Sequence, residues 1–186
     1  MLGKRSVFLI GPMGSGKSAV GRLLARLLDA SFYDSDAEIE RRTGVDISYI
    51  FEKEGEAGFR QREREVIDAL TQIEPVVLAT GGGAVVLAKN RRHLAERGCV
   101  VYLEASVEQQ VRRVHYARHR PLLMNVDPAT KLRQLMSERA ALYLEIADIS
   151  VPTDGRKVQS VAEEIVRGLK TGLRAGNTPY TAPVRE

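Results

Sequence analysis

Short apolar runs alternate along this chain with longer stretches whose apolar residues recur every three or four positions. Val7–Ile10, Ser31–Asp34, residues 76–80, Cys99–Glu104 and residues 148–151 are each four to six residues long and read as strands. Between them, Lys17–Leu28 carries Val20, Leu23, Leu24, Leu27 and Leu28 at helical spacing. Short helices are expected over 36–42 and 46–54, separated by Gly44, and a longer one over 56–70. Further helices fit 89–97, a stretch capped by Ser106 and running to about Val114, 129–147 and 158–170. Strands alternating with helices in this way predict an α/β fold with a parallel sheet covered on both faces. The stretch 116–128 lacks such a period and is the candidate for a mobile lid. Residues 172–186 gain Gly, Pro and Thr and read as a flexible tail.

Composition narrows the class. The 186 residues suit one compact domain, and 44% hydrophobic with 28% charged residues is ordinary for a globular protein. No run approaches the roughly 18 apolar residues that a membrane span requires, so no membrane partner and a cytoplasmic location are expected. The single cysteine, Cys99, excludes an internal disulfide, suits a reducing compartment and reads as a core residue. The net charge of +4 is modest and suits an enzyme with anionic substrates. The densest cationic stretch, Arg112 to Arg120, holds four arginines and two histidines but no aromatic platform beyond Tyr116. Nucleic acid is therefore not the expected partner, and His115 with His119 lacks a third metal ligand.

Chemistry enters at residues 11–18, GPMGSGKS, directly after the first strand and at the start of a helix. This is the GxxxxGK[ST] pattern in its proper context, and its four fixed letters coincide by chance only about once in tens of thousands of start points. Its glycines let successive backbone N–H groups point inward at phosphate oxygens, the lysine adds a mobile charge, and the serine hydroxyl suits magnesium. Proteins with this loop usually take a metal carboxylate from the end of a second buried strand. Here the strand at 76–80 ends instead in Gly81, Gly82 and Gly83. The acid is therefore sought at Asp34, with Asp36 beside it and free for a second role, although either could cap the helix that follows. Three glycines at the end of a core strand point to a close approach of backbone to ligand.

GPMGSGKS, Asp34-Ser35-Asp36, Phe59-Arg60, Gly81–Gly83, Arg120-Pro121-Leu122-Leu123 and the Glu138 to Tyr143 segment follow one another in an order that closely resembles the shikimate kinase family. The resemblance spans about residues 4–169. It implies a three-layer α/β/α kinase of the nucleoside-monophosphate-kinase type with sheet order 2-3-1-4-5. One kinase domain would cover 1–171, with a substrate-binding segment at about 34–62 and a lid at about 114–126. The implied activity moves the γ-phosphoryl of ATP to the 3-hydroxyl of shikimate, on the route to chorismate and aromatic amino acids, in a monomer.

The resemblance also implies roles. Gly14, Ser15, Gly16 and Lys17 would cradle the phosphates, and Ser18 and Asp34 would hold one Mg²⁺. Ala19, the next position in the nucleotide-binding stretch, stands where the family often has threonine. Asp36 would bind the substrate hydroxyls and orient the attacking one or take its proton. Arg60 and Arg139 would pair with the carboxylate, while Gly81, Gly82 and Gly83 line the ring. Arg120 would close on the phosphates and Arg156 would lie against adenine. Forked guanidinium groups suit a planar carboxylate. By periodicity alone, however, Arg60 and Arg139 would serve equally as surface i,i+4 partners, Arg120-Pro121 as a helix stop, and Arg62 or Arg64 as the carboxylate binder. Competing readings are a gluconate kinase of the same architecture, a P-loop module that binds ATP without transfer, and a nucleic-acid-binding NTPase.

Overall fold

Every strand of the sheet divides its side chains between two faces, and each face finds its own helices. The computed structural model describes residues 6–114, 123 and 126–171. In chain order these form β1 (Val7–Ile10), α1 (Lys17–Leu28), β2 (Ser31–Asp34), α2 (Ser35–Thr43), α3 (Ile47–Leu70) and β3 (Val76–Ala79). A 3-10 turn (Ala84–Val86) leads to α4 (Ala88–Arg97), β4 (Cys99–Glu104), α5 (Val107–Val114), α6 (Pro128–Ile146), β5 (Ile149–Pro152) and α7 (Val158–Thr171). The strands form one parallel sheet in the order β2-β3-β1-β4-β5. The inferred Arg120 and most of the inferred lid, together with His115, Tyr116, His119 and the tail, lie outside the described residues.

Two apolar clusters make the three layers. Phe8, Ile10, Leu78, Val100 and Tyr102 face α2, α3, α4 and α6 through Ile39, Phe59, Ile67, Leu94 and Tyr143. Val7, Leu9, Val77, Val101 and Val151 face α1 and α7 through Val20, Leu24, Val161 and Ile165. Each such side chain removed from water contributes about 1.5–3 kcal/mol. Strands buried on both faces read as unbroken apolar runs, which is why β1, β3 and β4 were plain in the sequence. β2 is the half-exposed edge.

The helices expected on either side of Gly55 both form: α3 is helical on each side of it and breaks there at φ 68°, ψ −175°, a state that glycine adopts at little cost. Two expectations need revision. Leu27 does not join the buried stripe of α1: it is 51% exposed, because Val20, Gly21, Leu24 and Ala25 form the inward face. Cys99 is only partly buried, packed against the margin of the α1/α7 cluster. The remaining strand and helix bounds agree with the pattern to within a residue or so.

Candidate active site

The carboxyl ends of β1, β2 and β3 lie side by side, and the loops leaving them carry most of the chemistry. After β1, the loop turns through Gly14 (φ 78°) and Gly16 (φ 92°), which places the first N–H groups of α1 at its mouth. Lys17 is buried, and its ammonium donates to the carbonyls of Gly11 and Pro12, both at 2.8 Å, and to Ser15 Oγ at 3.4 Å. Phosphate oxygens arriving at this loop would offer that ammonium charged acceptors in place of neutral ones.

Asp34, the last residue of β2, does two jobs. Its Oδ1 accepts from the backbone N–H of Asp36 at 3.0 Å and of Ala37 at 3.4 Å, capping α2. Its Oδ2 accepts from the Ser18 hydroxyl at 2.5 Å. The capping role and the pairing with the loop serine are thus compatible, one through each oxygen. A hydroxyl and a carboxylate in contact make an oxygen-only donor set, which suits a hard cation such as Mg²⁺ that shares its shell with phosphate and water. Among the described residues no group of three or more His, Cys, Asp and Glu could hold a metal by itself.

The triple glycine is closely approached by the protein's own groups. A β-carbon on Gly81 would sit 2.7 Å from Asp36 Oδ1 and 2.9 Å from Glu63 Oε1. One on Gly83 would overlap the Arg60 guanidinium, and one on Gly82 would lie 3.2 Å from the Met13 nitrogen of the phosphate loop. Ser35 accounts for the middle of the Asp-Ser-Asp segment: fully buried, its hydroxyl accepts from Gly81 N at 2.9 Å. Thr80 ties β3 back to β1 by donating to the Leu9 carbonyl through both N and Oγ1.

Charge is organised around Glu63, which sequence reasoning passed over. It is fully buried and accepts from Arg60 Nη1 at 2.8 Å. Arg60, also buried, reaches the exposed Glu56 as well, from Nη2 at 3.0 Å and Nε at 3.2 Å. Burial pushes the Glu63 carboxyl above its usual range, opposed first by Arg60 and then by Arg139. Two buried guanidinium groups thus act on one buried carboxylate, with Arg60 also bonded to Glu56 at the exposed side. Only the helical spacing of Glu63 three residues after Arg60 could have flagged it. Arg62 pairs with Glu54 across the Gly55 kink at 2.6 Å, outside this cluster.

Arg113, near the end of α5, points at the loop as well. Arg113 donates to the Gly14 carbonyl at 2.8 Å and to the Thr153 carbonyl at 3.2 Å, joining the phosphate loop to the end of β5. Arg156 lies along α7, donating to Glu164 at 2.6 Å, to Ser160 Oγ at 3.0 Å and to the Pro152 carbonyl at 3.1 Å. No helix among the described residues is long and apolar enough to cross a membrane.

A phosphate loop leaving the first strand of a 2-3-1-4-5 parallel sheet, with a serine and an aspartate paired at its foot, defines a P-loop phosphotransferase of the nucleoside-monophosphate-kinase type. Comparison with known proteins is more specific. The family model described as shikimate kinase matches residues 13–170, and the chain belongs to the shikimate kinase family, whose members are ATP-dependent kinases acting on an alcohol. The shikimate kinase of Methylococcus capsulatus is 53% identical over 94% of this chain and 98% of its own length. The Acinetobacter baumannii shikimate kinase, solved in complex with shikimate, matches with a TM-score of 0.90 at 46% identity, over 91% of this chain and 95% of that one. A gluconokinase from Sinorhizobium meliloti, at 18% identity and a TM-score of 0.57, shares the fold alone.

Proposed function

We propose that this chain transfers the γ-phosphoryl of ATP to the 3-hydroxyl of shikimate, giving shikimate 3-phosphate and ADP. The observation that carries the reading is the meeting of Asp36, Glu63 and Arg60 around Gly81 and Gly83, with Gly82 set against the phosphate loop at Met13. A hydroxyl-binding acid and a carboxylate-binding cation thereby flank one strip of bare backbone beside the phosphate site. A cyclic polyol acid matches that layout. A gluconate acceptor has no comparable support, since its family shares only the fold here.

In this reading the acceptor carboxylate joins Arg60 and Arg139, whose forked guanidinium groups suit a planar carboxylate. Asp36 accepts a hydrogen bond from the attacking hydroxyl and holds its proton while that oxygen bonds to the γ-phosphorus and the bond to the bridging oxygen of ADP breaks. Gly14, Ser15 and Gly16 hold the phosphates by backbone N–H, and Lys17 moves from the loop carbonyls to the phosphoryl oxygens. Ser18 and Asp34 would hold one Mg²⁺, which when bound offsets charge on the β- and γ-phosphates. Arg120 is assigned to the same task by the family resemblance. Arg156 has partners on α7 that account for its position, so its contact with adenine rests on resemblance alone. A cytoplasmic location is supported by the single cysteine, which suits a reducing compartment, and a monomer is what the family resemblance implies.

The test is ADP release measured with shikimate, gluconate, nucleoside monophosphates and RNA as acceptors. Turnover with shikimate is expected, and turnover with gluconate in its place would overturn the reading.

A further inference from the structure

Tyr143 lies one helical turn beyond Arg139 on α6 and is 1% exposed. Its ring stacks on Tyr102 of β4, with centroids 5.0 Å apart and planes 18° from parallel. Packing alone explains the ring but not the hydroxyl, since phenylalanine fills the same space with no polar atom to satisfy. That hydroxyl donates to the carbonyl of Gly82 at 2.5 Å, reaching from α6 to the middle of the triple-glycine loop. The flanks of the loop are held separately, by Ser35 at Gly81 N and by the bond from Ala84 N to Gly81 O at 3.0 Å.

Peptide planarity extends the consequence. The Gly82 carbonyl and the Gly83 N–H belong to one rigid plane and point in opposite directions. Holding the carbonyl at α6 therefore turns the Gly83 N–H away from α6. Gly82 also leans on the phosphate loop, where an added β-carbon would lie 3.5 Å from the Gly11 carbonyl oxygen. Burial raises the Tyr143 phenol to about 12, with the neighbouring Arg139 pulling the other way, so the group stays a protonated donor through the neutral range.

We propose that Tyr143 is a positioning residue for the acceptor: it locks the Gly82–Gly83 peptide plane and so fixes the spacing between the triple-glycine backbone and Arg139. This rests on the reading that Arg139 and that backbone hold the acceptor. Tyr143 itself touches no substrate in this assignment. It sets the distance between two groups that do.

The experiment compares Tyr143→Phe, which keeps the stacked ring, with Thr71→Val. The second removes a buried hydroxyl that donates to the Ile67 carbonyl at 2.8 Å, at the far end of α3. Tyr143→Phe is expected to raise the shikimate KM about tenfold, the value of one well-placed hydrogen bond, while kcat and the ATP KM stay within about twofold. Thr71→Val should lower Tm to a similar extent and leave the shikimate KM unchanged. An unchanged shikimate KM in Tyr143→Phe overturns the proposal, as does an equal rise in Thr71→Val. Arg139→Ala separates the two layers of inference. If it leaves the shikimate KM unchanged, the carboxylate assignment itself falls; if only Tyr143→Phe does so, that assignment stands and the positioning role is lost.

Discussion

The phosphate loop and the acceptor wall sit a few ångströms apart and are built in opposite ways. The loop is one contiguous segment, residues 11–18, whose shape comes from its own glycines and whose lysine bonds within it. The acceptor wall takes Asp36 from α2, Arg60 and Glu63 from α3, the glycines after β3, and Arg139 and Tyr143 from α6. It holds together by long-range contacts, such as Ser35 to Gly81 and Tyr143 to Gly82. In the proposed reading a local device binds the phosphates, as in other P-loop proteins, and a non-local one encodes the acceptor. Changes in the loop should therefore spoil transfer for any acceptor, whereas changes in the wall should act on shikimate alone.

The sharpest way to break that contrast is Lys17→Ala. It should cut kcat/KM by about 10³-fold, at the upper end for loss of one charge-stabilising donor. The loss should be independent of which acceptor is measured. Asp36→Asn comes next. It should depress kcat by about 100-fold if the aspartate takes the proton, whereas unchanged kcat in the folded variant would make Asp36 a binder only. Arg60→Ala should raise the shikimate KM about 30-fold, with the ATP KM within about twofold, because the carboxylate contact exists before as well as during transfer. A comparable rise in the ATP KM would show that the two regions are not separable.

The smallest effect lies on α2, where the buried Glu38 meets two arginines that reach the surface. Glu38 accepts from Arg41 and from Arg42, both at 2.7 Å, and these bonds, Arg41 first, hold its pKa at about 2 rather than 4.5. The folded state thus favours the ionised form. That contribution is present above about pH 4.5 and is lost as pH falls toward 2. Glu38→Gln should flatten the fall in Tm over that window and leave both KM values unchanged at neutral pH. An unaltered acid limb would show that the exposed arginines are screened too well to matter.

How much was legible in the sequence follows the same division. The buried strands and α1 could be placed because strand and helix periods are local, and GPMGSGKS because its chemistry is contiguous. Asp34 was reached by elimination, from the absence of an acid after β3. Glu63 stayed hidden because in one dimension it is another glutamate on a helix rich in Glu and Arg. Only folding shows that it faces inward, toward Arg60 and Arg139. Arg113 was read as part of a cationic surface patch because nothing local says that α5 packs on Gly14. Gly55, by contrast, was legible as a boundary between two helices, because the break is local, a positive φ that glycine adopts at little cost.

The central claim is that Arg60 reads the acceptor carboxylate, and a paired comparison tests it most directly. Turnover of shikimate and of its carboxamide would be measured with the wild type and with Arg60→Ala. In the variant, Glu63 loses its nearest cation and takes up a proton more readily, so the wall does not simply become anionic. The wild type should prefer the acid by about 100-fold in kcat/KM, and Arg60→Ala should narrow that preference at least about tenfold, the remainder being due to Arg139. An undiminished preference in Arg60→Ala would contradict the claim and move recognition of the carboxylate elsewhere.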